Sequence, residues 1–150
     1  MDEKEIVPVE GRLTSERQSR IFMMRRSEKR IYDNLTNSMR DAWMEIESSF
    51  RYLTGGMGYG IHDINHVKGL PQEEQEYIVE LVKKYREWAK ECPDKWRGIV
   101  VDMTVFNFSI DEISWQRALD KKTVLSRFRQ GLNVYCIAQG WGDQIDQTNL

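Results

Sequence analysis

Cysteine, proline and histidine are scarce in this chain of 150 residues: two, three and two. Cys92 and Cys136 lie far apart and neither belongs to a CxxC pair. That excludes a disulfide-stapled scaffold and points to a reduced, cytoplasmic compartment. The few prolines and the lack of Val-rich alternation argue against an all-β fold. No apolar run approaches the roughly 18 residues of a membrane span, so no membrane partner is expected. The first ten residues are acidic and hold no apolar stretch, unlike a secretory signal. No nucleophile elbow, kinase set or dinucleotide fingerprint occurs, so the chain reads as a non-enzyme without a cofactor.

What is present suits one domain, or a small domain with a helical extension. The chain is 40% hydrophobic and 31% charged, enough apolar residues to bury a core. Its formal net charge of −2 hides blocks. Residues 11–40 carry eight Lys/Arg against three Asp/Glu, whereas residues 41–80 carry two against eight. Residues 121–131 hold Lys121, Lys122, Arg127 and Arg129 and no acid. A nonspecific nucleic-acid coat is basic throughout, and this chain is not. Such blocks suit solvated helix faces, or one face that meets nucleic acid.

Apolar spacing predicts helices. After a leader at 1–14, a stripe from Ile21 through Tyr32, Leu35, Met39, Trp43, Ile46 and Phe50 to Leu53 recurs at three and four residues. It implies one long N-terminal helix of about 40 residues, or one broken near Asn34–Asn37. So long a stripe packs against a second copy or forms the spine of a monomer core. The glycine-rich stretch 55–70 reads as a loop. It holds His62 and His66, spaced as two ligands on one helical face, but no third histidine exists and no metal is expected. Pro71 then opens a helix with apolar Tyr77, Ile78, Leu81, Val82, Tyr85 and Trp88, ending near Cys92–Pro93. Trp96, Ile99, Val100, Met103 and Phe106 carry the next. The run Ile99–Val101 would also suit a strand, but no pairing strand lies nearby. The tryptophans fall mainly on helix stripes, where core packing explains them, and Cys136 reads as a buried thiol.

Functional information concentrates in residues 106–135. Ser109 and Glu112 have capping-box spacing, so a short helix starts there. Asp120 is a second N-cap, followed by Val124, Phe128, Leu132 and Tyr135 at helical spacing. Only Ala118 and Leu119 separate the two helices, the arrangement of a helix-turn-helix. Ile113, Leu119 and Val124 supply a small core for the pair. The second helix opens with Lys121, Lys122 and Thr123 and continues with Ser126, Arg127, Arg129 and Gln130. These residue types are phosphate and base-edge donors.

The segment from Ser109 through Glu112, Ile113 and Ser114 to Asp120, Thr123, Val124, Ser126 and Arg127 resembles, without a gap, the promoter-reading helix-turn-helix of bacterial sigma factors. Small late-gene activators and antitermination proteins of bacteriophages carry similar segments. The likeness spans residues 95–137. It departs from the pattern at Arg117, usually Leu, at Trp115, usually polar, and at Ala118, usually Gly.

The helical spacing gives an all-α helical bundle with a long N-terminal helix and a C-terminal helix-turn-helix: a helical region at 15–92, a DNA-binding region at 93–140 and a tail at 141–150. The resemblance covers only the second of these and leaves residues 1–90 unexplained. For the second region it implies a sequence-specific transcription regulator of phage or prophage origin. Lys121, Lys122, Thr123, Ser126, Arg127 and Gln130 would contact double-stranded DNA, with Arg129 on the phosphate side. The N-terminal helical part would form a homo-oligomer or bind RNA polymerase. Three other readings stay open: a small terminase subunit that recognises phage DNA for packaging, a helical interaction module with a vestigial helix-turn-helix, and a metal-dependent enzyme built on His62 and His66.

Overall fold

The structure is a computed structural model and describes residues 17, 18, 20, 21, 23–54 and 69–141. The predicted leader, the stretch 55–68 with both histidines and nearly all of the tail lie outside the described residues. Among those described, the regular elements are all helices: α1 (Arg26–Asp33), α2 (Asn37–Thr54), α3 (Gln72–Glu91), α4 (Asp94–Thr104), α5 (Ile110–Arg117) and α6 (Lys121–Ala138). The described residues form an all-α fold, as expected. It divides into two compact units between Asn34 and Leu35.

In the first unit, buried Glu28 on α1 accepts a hydrogen bond from Arg20 at 2.7 Å and another from the Arg25 N–H. Arg17 Nε donates to the hydroxyl of buried Tyr32 at 3.2 Å.

The second unit begins with a correction to the long N-terminal helix. The stripe from Ile21 to Leu53 is not one helix, because α1 ends at Asp33 and α2 starts at Asn37. This is the alternative break. Thr36 Oγ1 accepts the Met39 N–H at 3.1 Å, satisfying a donor that a helix start leaves free. Tyr32, Leu35 and Met39 are all buried, so the apolar spacing runs straight across the break.

Two prolines set the next helix starts. Pro71 and Pro93 are N-caps with φ of −57°, and their carbonyls accept the first helical N–H groups of α3 and α4. A proline's missing N–H costs nothing there. The Ile99–Val101 run is helical, within α4.

Helix α6 packs against α2, α3, α4 and α5. Its Val124, Phe128, Leu132 and Tyr135 are fully buried, as are Trp43 and Ile46 on α2, Trp88 on α3, Ile99 and Val100 on α4, and Ile113 on α5. Trp43 meets Phe128 edge to face, with centroids 5.4 Å apart. The tightest approach is at Gly131. A Cβ there would lie 2.5 Å from Val100 Cγ2, so only glycine lets α4 and α6 come this close. The Gly131 carbonyl accepts a 2.9 Å hydrogen bond from buried Trp88 Nε1.

Candidate nucleic-acid interface

Local chemistry fixes the α5–α6 junction. Ser109 Oγ accepts the Glu112 N–H at 3.1 Å, and Glu112 Oε1 accepts the Ser109 N–H at 2.7 Å. This is the reciprocal cap expected from the spacing. Helix α5 closes on Ala118 in the left-handed region, φ 56° and ψ 46°. Without glycine this costs about 1–2 kcal/mol. Two hydrogen bonds offset it: the Leu119 N–H donates to the Ser114 carbonyl at 3.1 Å, and Ser114 Oγ donates to the Leu119 carbonyl. Small Ser114 thus ties the turn back to α5. Asp120 then caps α6, accepting the Thr123 N–H at 2.7 Å. That bond, with a second from the Thr123 side chain, holds Asp120 below the usual carboxylate range.

The cap sets the rotational phase of α6. Val124 and Phe128 point into the core, while Lys121, Lys122, Ser126 and Gln130 are exposed. Thr123, Arg127 and Arg129 are half-buried. Lys122, Ser126 and Gln130 repeat every fourth residue along one face. Gln130 Nε2 donates to Ser126 Oγ at 3.1 Å. Beside them runs an open groove of about 430 Å³, lined by Lys122, Thr123, Ser126, Arg127 and Gln130 together with Lys95 and Trp96 from α4. The fold therefore gathers five of the seven candidate residues around one groove and leaves Lys121 and Arg129 off it. Lys121 instead pairs with Asp111 at 2.9 Å.

Charge in this region is sorted by pairing. From Asp94 to Trp141 there are five acids and seven Lys/Arg. Every acid is engaged. Asp94 pairs with Arg97, Asp102 with Arg117 at 2.7 Å and Asp111 with Lys121. Glu112 and Asp120 serve as caps. Among the described residues no ion pair engages Lys95, Lys122, Arg127 or Arg129. Three of these four cations line the groove.

The two unusual residues of α5 behave differently. Arg117 lies across Gly98 and binds Asp102, an ion-paired contact to α4. Trp115 is 85% exposed, which corrects its assignment to core packing. Lys95 and Trp96 were missed as groove residues because they lie nearly thirty residues before Lys122 in sequence. The signal available was the start of α4, where Pro93 brings a cation and an aromatic into the first turn.

The described residues hold no cluster of three or more His, Cys, Asp or Glu suited to a metal ion. Both cysteines are buried free thiols. Burial pushes Cys92 up to about 11 and Cys136 up to about 12, so neither is a thiolate near neutral pH. No family model, curated protein or solved structure matches the chain.

Proposed function

We propose that α5, the turn Ala118–Asp120 and α6 act as a helix-turn-helix that binds duplex DNA in sequence-specific transcription control, in a phage or prophage setting. One observation carries the DNA reading: the groove beside α6 gathers Lys122 and Arg127 with Lys95, none of them in an ion pair among the described residues, next to neutral Ser126 and Gln130, and of the acids from Asp94 to Trp141 only the cap Asp120 acts on one of these cations, Lys122. Cations hold phosphates irrespective of sequence, and Ser and Gln side chains read base edges. Ser126 and Gln130 share a face with Lys122, so anchoring and reading fall on one surface. The regulatory role and the phage setting rest on the sigma-like segment from Ser109 to Arg127.

The direct test is a titration of labelled duplex DNA by fluorescence anisotropy over a salt series. Binding should weaken with salt, and Lys122→Gln with Arg127→Gln should flatten the log–log slope by about 0.9 for each phosphate those side chains neutralise. A folded double variant with the wild-type slope would remove α6 from the interface.

A further inference from the structure

Lys95 and Trp96 belong to α4, outside the two helices assigned to DNA reading, yet they form one wall of the groove. We infer that this groove seats the sugar–phosphate backbone of one DNA strand, with Lys95 on α4 and Lys122 and Arg127 on α6 holding its phosphates. The inference rests on the DNA-binding reading and adds a second anchoring element to it.

Like charges gathered around one concavity repel, and a bound anion relieves that repulsion. Of the nearby acids only the cap Asp120 acts on a groove cation, Lys122, and the others are used elsewhere. Asp94, next to Lys95 in sequence, is taken by Arg97, which also donates to the carbonyls of Ala89 and Cys92. Asp102 and Asp111 are taken by Arg117 and Lys121. Ser126 adds a hydroxyl to the opposite wall. Trp96 supplies an apolar surface for the sugar.

The dimensions favour a strand over a free ion. The α6 wall runs from Lys122 to Gln130, about 12 Å along the helix axis. The volume of about 430 Å³ exceeds what one phosphate fills. Exposed Lys95 is also a safe residue to change, because it makes no ion pair among the described residues.

The experiment compares wild type, Lys95→Gln and Lys95→Arg in duplex binding across a salt series, with circular dichroism as the check of folding. Lys95→Gln should flatten the log–log salt slope by about 0.9. Its ranking of different duplex sequences should not change, and Lys95→Arg should restore the slope. A folded Lys95→Gln protein with the wild-type slope would overturn the inference and leave the DNA reading standing. Wild type that binds no duplex would end the DNA reading and this inference together. A third arm adds inorganic phosphate at matched ionic strength. Phosphate should displace DNA no better than chloride does. Selective displacement by phosphate, abolished in Lys95→Gln, would make the groove a small-anion site and overturn the strand assignment.

Discussion

Residues 121–130 and 131–138 form one continuous helix, but they are held in different ways. The first stretch buries only Val124 and Phe128 and turns cations and neutral donors outward. The second buries Gly131, Leu132, Tyr135 and Cys136 and is tied by polar contacts to helices distant in sequence. Tyr135 Oη donates to Glu45 on α2, and Lys84 on α3 reaches the same carboxylate oxygen at 3.4 Å. Burial, then the Glu45 charge, drives the Tyr135 phenol far above its ordinary range, so it stays a hydrogen-bond donor. Trp88 fixes the Gly131 carbonyl. The difference teaches that the back of α6 supplies rigidity and the front supplies chemistry. A surface whose own residues make few buried contacts keeps its geometry because it is continuous with an anchored half.

The largest effect should come from joining the two environments wrongly. Val124→Asp would place an unpaired carboxylate in a fully buried position at the front, costing about 3–5 kcal/mol. Urea unfolding measures this, and wild-type stability in that variant would mean the front is not anchored to the core. Next comes Gly131→Ala at the back. In an open helix this exchange stabilises by about 1 kcal/mol. Here the new Cβ meets Val100 Cγ2, and the expected result is a destabilisation of about 1–3 kcal/mol. Adding Val100→Ala should recover part of that stability, which a double-mutant cycle would resolve.

Caps give smaller effects at the front alone. Ser109→Ala should cost about 1 kcal/mol in urea unfolding. The depressed Asp120 carboxyl contributes stability that is present above the unfolded carboxylate pKa, about 3.9, and is lost as pH falls through its lower folded value. Asp120→Asn should therefore reduce the acid dependence of stability, followed by circular dichroism. The thiols work in the opposite direction. With folded pKa values of about 11 and 12, Cys92 and Cys136 stay protonated in the native state while the unfolded chain loses those protons above about pH 8.5. Stability should fall as pH rises from there, and Cys136→Ser should reduce that fall. At pH about 8, near the ordinary thiol range, a disulfide reagent should label neither thiol faster than the protein opens.

Much of this contrast was legible from residue types acting locally. Ser109 with Glu112, Asp120, Pro71 and Pro93 mark helix starts through bonds to neighbours a few residues away, and the structure has those starts. The apolar spacing of Val124, Phe128, Leu132 and Tyr135 located the buried face of α6. The break at Asn34–Thr36 was not decided by pattern, because burial continues through it while a single Thr36 hydroxyl caps the new helix. Trp115 was misplaced because α5 is only eight residues long and its sides differ little in polarity. Nothing local joins Lys95 to Lys122, or Glu45 to Tyr135. Those pairs exist only because α4 and α2 pack on α6.

The central claim is that the exposed face of α6 reads DNA sequence, and selection from random duplexes tests it most directly. Wild type should enrich one motif. Ser126→Ala with Gln130→Ala should reduce discrimination by about 1–3 kcal/mol for each base edge no longer read. Salt-dependent, nonspecific affinity should persist in that variant, because no charge is removed. Recovery of no enriched motif by folded wild-type protein would contradict the claim.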